Sequence, residues 1–186
     1  MVKTIIVNHK EVFSEELREI IKSHKSNDDV IDIVVKGDLT ILKTTNIKAR
    51  IIVEGNLNTE AELIAERLEV MGSIDSWDSI VAESILCKGD IDCMHLIIVD
   101  ELNCFGTINP NKSPLFVGGD ILAKNIINSG KVECCGDIIT SNCIIAKEIT
   151  ATTGVVSGKH INAQKVIAAG IIAENTKNID TEIIGD

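Results

Sequence analysis

The sequence predicts an all-β fold: a single-stranded parallel β-helix of triangular coils with a small N-terminal α/β cap. Three observations support this prediction: a 17-residue repeat, an alternation of apolar residues inside each repeat, and a core composition with almost no aromatic residues. A repeat this short cannot bury its own apolar face, so it must stack on copies of itself. We therefore divide the 186 residues into a cap at 1–36 and a β-helix at 37–186.

The repeat is clearest between residues 72 and 106. There GSIDSWDSIVAESILCK aligns with GDIDCMHLIIVDELNCF, and the apolar letters coincide. The same pattern extends over residues 37–170 as eight units. One unit, between Gly106 and Gly119, is four residues short and contains both prolines. We interpret it as a coil with a deletion in its first part.

Each unit contains three short apolar pieces, which begin at Ile74, Ile80 and Ile85 in the first of the two quoted segments. Apolar residues alternate within a piece, which is typical of an extended strand with one buried face. Three strands per coil predict a triangular solenoid with a rise of about 4.8 Å per coil, or ~38 Å for eight coils. Six equivalent positions are predicted to point inward as a core ladder: Leu63, Ile80, Ile97, Ile127, Ile144 and Ile161.

The composition fits a thin core and an acidic surface. Apolar residues make up 45% of the chain and aromatic residues 2%, so the core must consist of Ile, Val, Leu and Ala. The net charge is −10, and binding to nucleic acid or to an anionic membrane requires clustered Lys and Arg instead. We therefore expect no nucleic-acid partner and, since no segment reaches the length of an apolar span, no membrane span.

The six cysteines divide into two groups. Three occupy the inward slot that holds Val70 in another unit, and are predicted to be small core side chains: Cys87, Cys104 and Cys134. The others fall outside inward slots and are predicted to be exposed: Cys93, Cys135 and Cys143. Their spacing matches no zinc motif, so we expect no metal site. The N-terminal segment lacks the apolar core of a signal peptide, which favours reduced thiols and a cytoplasmic location.

Stacked coils leave two ends that need a cap or a partner. At the N-terminal end, helical spacing predicts an amphipathic helix at residues 15–25 with Ser14 as N-cap, lying over the first coil. At the C-terminal end the repeat is lost, and several isoleucines have no evident cover. We predict that four of them form a self-association surface: Ile171, Ile172, Ile183 and Ile184.

The segment LEVMGSIDSWDSIVAESILCKGDI resembles the repeat of the bactofilins, a bacterial family of polymer-forming cytoskeletal proteins. The resemblance covers residues 37–170. It implies a right-handed β-helix that joins end to end into nucleotide-independent filaments or small assemblies and serves as a scaffold. The N-terminal helical region departs from the short tail that is usual in the family. A capped N-terminal end would limit assembly to a dimer joined through the C-terminal ends.

No catalytic motif is present, and we therefore expect a non-enzymatic scaffold that has no cofactor and associates with itself. The alternative is a β-helical acyltransferase that uses a histidine at a subunit boundary, with His95 as the base and His160 as a second candidate. Acyltransferases of that kind have a strict six-residue repeat and a long protruding loop. The 6-5-6 spacing here departs from that repeat.

Overall fold

The computed structural model describes residues 2–8, 11–24, 30–111, 113–127, 130–177 and 180–183. These residues form nineteen β-strands and one α-helix, and every strand pairing is parallel. The pairings connect each coil to the next, so the chain winds into a β-solenoid of about eight turns. The fold class predicted from the repeat is therefore confirmed.

Each coil has three sides, which we number in the order in which the chain visits them. Some strands lie on a single side. Side 1 has β1 (Val2–Val7) and β3 (Val30–Val35), and side 2 has β2 (Glu11–Phe13), β4 (Asp38–Ile41) and β6 (Leu57–Thr59). Side 3 has β11 (Leu115–Val117), β13 (Lys131–Cys134), β15 (Glu148–Ala151), β17 (Lys165–Ala168) and β19 (Asp180–Ile183). Other strands continue round a corner: β5 (Thr45–Val53) and β7 (Leu63–Val70) over sides 3 and 1; β8 (Ile74–Cys87) over all three; β9 (Ile91–Ile98) over sides 2 and 3; β10 (Leu102–Asn109), β12 (Ile121–Ile127), β14 (Ile138–Ile145), β16 (Val155–Asn162) and β18 (Gly170–Lys177) over sides 1 and 2.

The first coil uses a helix in place of its third strand. β1 pairs with β3 on side 1, and β2 pairs with β4 on side 2. The helix α1 (Ser14–His24) follows, in the position that a side 3 strand would occupy. Its range agrees with the predicted helix to within one residue. The predicted cap thus continues the solenoid on two of its sides.

The core is a stack of apolar rungs, with one column of large side chains on each side. On side 1 the register pairs Ile85 with Leu102, and Leu102 with Ile121. Rungs of Ile, Leu and Val fill all three columns, and nearly all of them are fully buried. Because β-branched and leucine side chains repeat at the strand spacing, each covers the one below it without any aromatic filler.

Two members of the predicted core ladder were assigned wrongly. Ile97 is 44% exposed and Ile127 is 43% exposed, whereas the preceding residues Leu96 and Ile126 are buried. Ile80 pairs with Leu96, one residue earlier than a 17-residue step would place it. Since side chains alternate along a strand, a shift by one residue turns a side chain from the core to solvent. The other four predicted positions are buried: Leu63, Ile80, Ile144 and Ile161.

The unit between Gly106 and Gly119 is not a shortened coil. On side 1 the register pairs Ile85 with Leu102 and then Leu102 with Ile121, so the second step along the chain is two positions longer than the first. On side 3 Leu96 pairs with Leu115, a step of the same greater length. This coil is therefore longer than the 17-residue coil before it. The glycines are closer because they lie at different corners, and the interval between them covers sides 2 and 3 only.

The two sets of glycines form two separate columns. Gly55, Gly72 and Gly89 stack between sides 1 and 2, with N–H···O=C bonds of 2.9 Å from Gly72 to Gly55 and from Gly89 to Gly72. Gly136 stacks on Gly119 between sides 3 and 1, with a bond of 3.1 Å. After Gly106, the glycine of the repeat therefore lies at the corner between sides 3 and 1 and no longer at the corner between sides 1 and 2. The predicted ladder mixed two columns, because Ile80 lies on side 3 and Ile144 on side 2.

Candidate assembly interface

The last coil has strand edges that meet no further strand. β18 pairs with β16 and β19 pairs with β17, and within the described part of the chain no strand pairs with their other edges. β18 is eight residues long and runs over two sides of the triangle. A row of unpaired backbone N–H and C=O groups of this length is a template for another strand.

The apolar core also loses its cover at this end. On side 1, Val156 is fully buried, whereas Ile171, which pairs with it, is only half-buried. Ala173 is half-buried on the same strand, and Thr176, which pairs with the buried Ile161, is exposed. In the described residues, the C-terminal end of the solenoid therefore exposes one face of its last core rung together with a strand edge whose backbone groups are unpaired.

Two of the four residues predicted for self-association, Ile171 and Ile172, lie on opposite faces of β18. Ile171 is an inward rung at the open end, and it packs against the core. Ile172 lies on the outer surface of side 1 and is 62% exposed. Ile183 lies in β19, where it pairs with Ala168, and nothing is described of its side chain. Ile184 lies outside the described residues. Ile171 has the placement that end-to-end stacking requires, and Ile183 holds a comparable register position opposite the buried Ala168.

The N-terminal end is covered on one side by α1. Leu17 is fully buried, and Arg18 donates hydrogen bonds to the carbonyl of Thr44 and to Oγ1 of Thr45. Lys43 forms an ion pair of 2.9 Å with Glu15. On the other two sides, β1 and β2 each pair with one strand among the described residues. The predicted helical cap thus covers the N-terminal end on side 3, and the described parts of sides 1 and 2 have no such cover.

The cysteine predictions hold for most positions and fail for Cys93. Cys87, Cys104 and Cys134 are buried, and Cys135 is exposed, as predicted. Cys143 is half-buried. Cys93 was expected at the surface but is only 1% exposed, because it follows Thr59 and Ser76 in an inward column of side 2. All six thiols are free.

Burial sets the acidity of these thiols. Burial, assisted by the carboxylate of Asp92, raises the pKa of Cys93 to about 12. Burial next to Asp120 raises the pKa of Cys134 to about 12 as well. Desolvation disfavours the thiolate in both cases, and a nearby negative charge disfavours it further. Neither thiol has the electropositive surroundings of a reactive cysteine.

The two histidines considered for catalysis lie in unremarkable surroundings. His95 is exposed at the corner between sides 2 and 3, opposite Ser79 in the register. His160 is exposed above Cys143, and its Nδ1 lies 3.3 Å from Nδ2 of Asn175. The described residues contain no group of three His, Cys, Asp or Glu side chains that could hold a metal ion.

Three aspartates and the tryptophan near the repeat corners are either hydrogen-bonded between coils or exposed on the outer surface. Oδ1 of Asp90 accepts a hydrogen bond of 2.7 Å from the backbone N–H of Thr107, one coil further on. Asp75 and Asp92 stack on the outer surface of side 2. Trp77 is 78% exposed.

A surface that the sequence analysis missed lies on the outside of side 1. Leu122, Ile139 and Ile172 are exposed there, in one outer column with Ser157. Beside Leu122 is a hollow of about 290 Å³. Its lining residues are Cys104, Phe105, Leu122, Ala123, Lys124 and Ser141. The sequence signal was the apolar doublet, as in Ile138-Ile139, because alternation puts one member of each doublet outside.

Comparison with known proteins finds no match to a family model, a curated protein or a solved structure. In the part of the chain that the structure describes, no helix combines the length and the apolar character that crossing a membrane requires.

Proposed function

We propose that the protein is a bactofilin-like, non-enzymatic scaffold of the bacterial cytoplasm that associates with further copies of itself through the ends of its β-solenoid. The observation that carries this proposal is the open C-terminal coil, where β18 has one paired edge and Ile171 is a core rung without full cover. The repeat's resemblance to bactofilins supports the same function.

The physical basis is continuation of the solenoid across the junction. A coil from another copy placed against β18 would satisfy the open N–H and C=O groups, and it would cover Ile171 and Ala173 as an ordinary rung does. Strand addition of this kind gains backbone hydrogen bonds and apolar burial together. It needs no nucleotide, metal or cofactor, since every contribution comes from the chain itself.

The test compares two charged substitutions on the same strand. Ile171→Lys places a charge on the half-buried core rung at the open end, so we expect it to reduce the mass in solution towards that of a monomer. Ile172→Lys adds the same charge one residue later on the outer surface, and we expect it to leave the mass unchanged. The mass is measured by light scattering over a range of concentrations, with negative-stain electron microscopy to distinguish filaments from discrete oligomers.

Circular dichroism melting serves as the control for folding in both variants. The proposal fails if the unsubstituted protein is monomeric at all concentrations, or if Ile171→Lys keeps its fold and its assembly. A loss of assembly in Ile172→Lys alone would place the interface on the outside of side 1 instead of the end.

The acyltransferase alternative gains no support from the placement of its candidate base. His95 is not among the residues that line the hollow beside Leu122 or another hollow near Val81 on side 3. An acyl-CoA binding measurement on the unsubstituted protein and on His95→Ala is the direct check on this alternative.

A further inference from the structure

Cys87 and Cys104 are neighbours across two coils. They pair directly in the parallel register of side 1, with Val70 before them and Ala123 after them in the same inward column. In-register parallel strands hold their Cα atoms about 4.8 Å apart, inside the range that a disulfide spans. Among the described residues, no other two cysteines pair in this way.

The two thiols also contact each other. A hydrogen bond between them lowers the pKa of Cys104 and raises that of Cys87. Each thiol in addition lies near a glycine carbonyl, Cys104 Sγ at 3.3 Å from Gly89 O and Cys87 Sγ at 3.4 Å from Gly72 O. Cys104 is thus the member of the pair that more readily forms a thiolate, which is the nucleophile in thiol–disulfide exchange.

Cys104 is one of the residues that line the hollow beside Leu122, and Cys87 is not. Although Cys104 is almost fully buried, it forms part of the wall of the hollow beside Leu122. Two cations flank this hollow: Lys124 lines it, and the Lys88 ammonium lies 3.7 Å from the ring centroid of Phe105. These two cations favour the approach of an anionic reagent, although the Asp90 carboxylate acts on Cys104 in the opposite sense.

The geometry points to a reversible disulfide site at Cys87 and Cys104, formed by exchange with a small anionic disulfide of the glutathione type that enters through the hollow beside Leu122. This inference goes beyond the proposed scaffold function and does not depend on it.

The exchange has two balanced steps. The Cys104 thiolate attacks one sulfur of glutathione disulfide, the S–S bond of the reagent breaks, and one glutathione thiolate leaves and takes up a proton. Cys87 then loses its proton and attacks Cys104 Sγ, which releases the second glutathione. In total, two protein thiols are oxidised, and one glutathione disulfide is reduced to two glutathione thiols.

The bond would join successive coils and would be readily reversed. Stacked Cβ atoms lie about 4.8 Å apart, slightly beyond the usual Cβ separation of a disulfide, so the bond forms with some strain and is easily reduced. It closes a loop that is one repeat long, which restricts the unfolded chain and raises the melting temperature. Oxidation would therefore stabilise the middle of the solenoid until a reductant returns both thiols.

The test treats the folded protein with glutathione disulfide and maps the bonds by mass spectrometry after tryptic cleavage without reduction. Cleavage after Lys88 separates Cys87 from a peptide that contains both Cys93 and Cys104, so the experiment uses a Cys93→Ala variant to make the assignment unique. We expect one cross-link between Cys87 and Cys104, with the loss of two hydrogens, and its full reversal by dithiothreitol.

Three further variants separate the steps. Cys87→Ala should stop at a glutathione adduct on Cys104, and alanine fits this column because Ala123 occupies the next rung. Lys124→Glu should slow cross-linking by about threefold or more, because it removes a cation from the entrance. Cys134→Ala is the matched control, since Cys134 is buried beside Val117 and Ala151, and its removal should leave the cross-link unchanged.

The inference is wrong if Cys87 and Cys104 stay reduced in the folded protein while the exposed Cys135 takes up glutathione. It is also wrong if the cross-link forms only above the urea concentration that unfolds the chain. Circular dichroism of each variant before treatment establishes that the fold is retained.

Discussion

At the scale of single residues, the corner between sides 1 and 2 is built from a glycine followed by a polar residue. The polar side chain accepts a hydrogen bond from a backbone N–H of the next coil. Oδ1 of Asn56 accepts from Ser73 N at 2.9 Å, and Oγ of Ser73 accepts from Asp90 N at 3.1 Å. The glycine allows this close approach because it carries no Cβ.

Gly89→Ala tests how tightly this corner is packed. A Cβ at residue 89 would lie 2.8 Å from the carbonyl oxygen of Gly72 and would collide with Oγ of Ser73. Since a backbone atom cannot move aside as a side chain can, we expect Gly89→Ala to lower the free energy of unfolding by about 1–3 kcal/mol. Urea denaturation gives this value directly.

The matched control is Gly170→Ala in the last coil. There the nearest atom to an added Cβ is Cγ1 of Val155, at 3.3 Å, and a valine side chain can yield slightly. We expect a change below about 0.5 kcal/mol, as for an ordinary surface substitution. Equal losses in the two variants would mean that corner packing is not what requires glycine at residue 89.

At the scale of elements, strands and helix differed in how well the sequence predicted them. The helix was placed correctly because Leu17, Ile20 and Ile21 recur at helical spacing beside acidic residues at its start. Ile97 and Ile127 were misplaced because each adjoins another apolar residue, so alternation alone cannot decide which of the two faces the core. Which of the two faces the core depends on how neighbouring coils pack together, and the sequence of one repeat does not contain that information.

The helix replaces the third strand of the first coil. Loss of its contacts with the core should therefore destabilise the N-terminal end of the solenoid. Leu17 is fully buried, and Leu17→Ala is expected to lower the free energy of unfolding by about 2–4 kcal/mol. Glu19→Ala on the exposed face of α1 is the control, because its ion pair with Lys22 is exposed and contributes less than about 0.5 kcal/mol.

Hydrogen exchange shows where Leu17→Ala acts. The amides of β5, which lies beneath α1 on side 3, should lose protection first, whereas those of β14 should keep it. A uniform loss along the chain would contradict the assignment of α1 as a local cover, and it would indicate a solenoid that unfolds as a single unit.

At the scale of the whole molecule, the sequence predicted the usual 17-residue length of a coil but neither the longer coil after Leu102 nor the phase of the stack. A glycine with a following aspartate suits a corner whether it is Gly89-Asp90, between sides 1 and 2, or Gly136-Asp137, between sides 3 and 1. Such a motif marks a corner without saying which one. For this reason the segment from Gly106 to Gly119 resembled a short coil, although it covers two sides of a long one. The open C-terminal end was expected from the loss of the repeat, but the separation of Ile171 from Ile172 needed the structure.

Deleting one coil tests the register of the whole solenoid. Removal of residues 74–90 takes out one full repeat and joins Ser73 to Ile91, which pairs with Ile74 in the intact protein. Because Ile91 then takes the place of Ile74 on Leu57, and Leu102 that of Ile85 on Leu68, we expect a folded protein that is one coil shorter. Removal of residues 74–95 is the control, since it also takes out Ile91–Cys93 and leaves no chain to span side 2 between Ser73 and Leu96. Far-ultraviolet circular dichroism and urea denaturation should show strand content and a cooperative transition for the full-repeat deletion and neither for the control deletion. If both variants fold equally well, the columns are not held in a fixed register, and stacking depends on apolar composition alone.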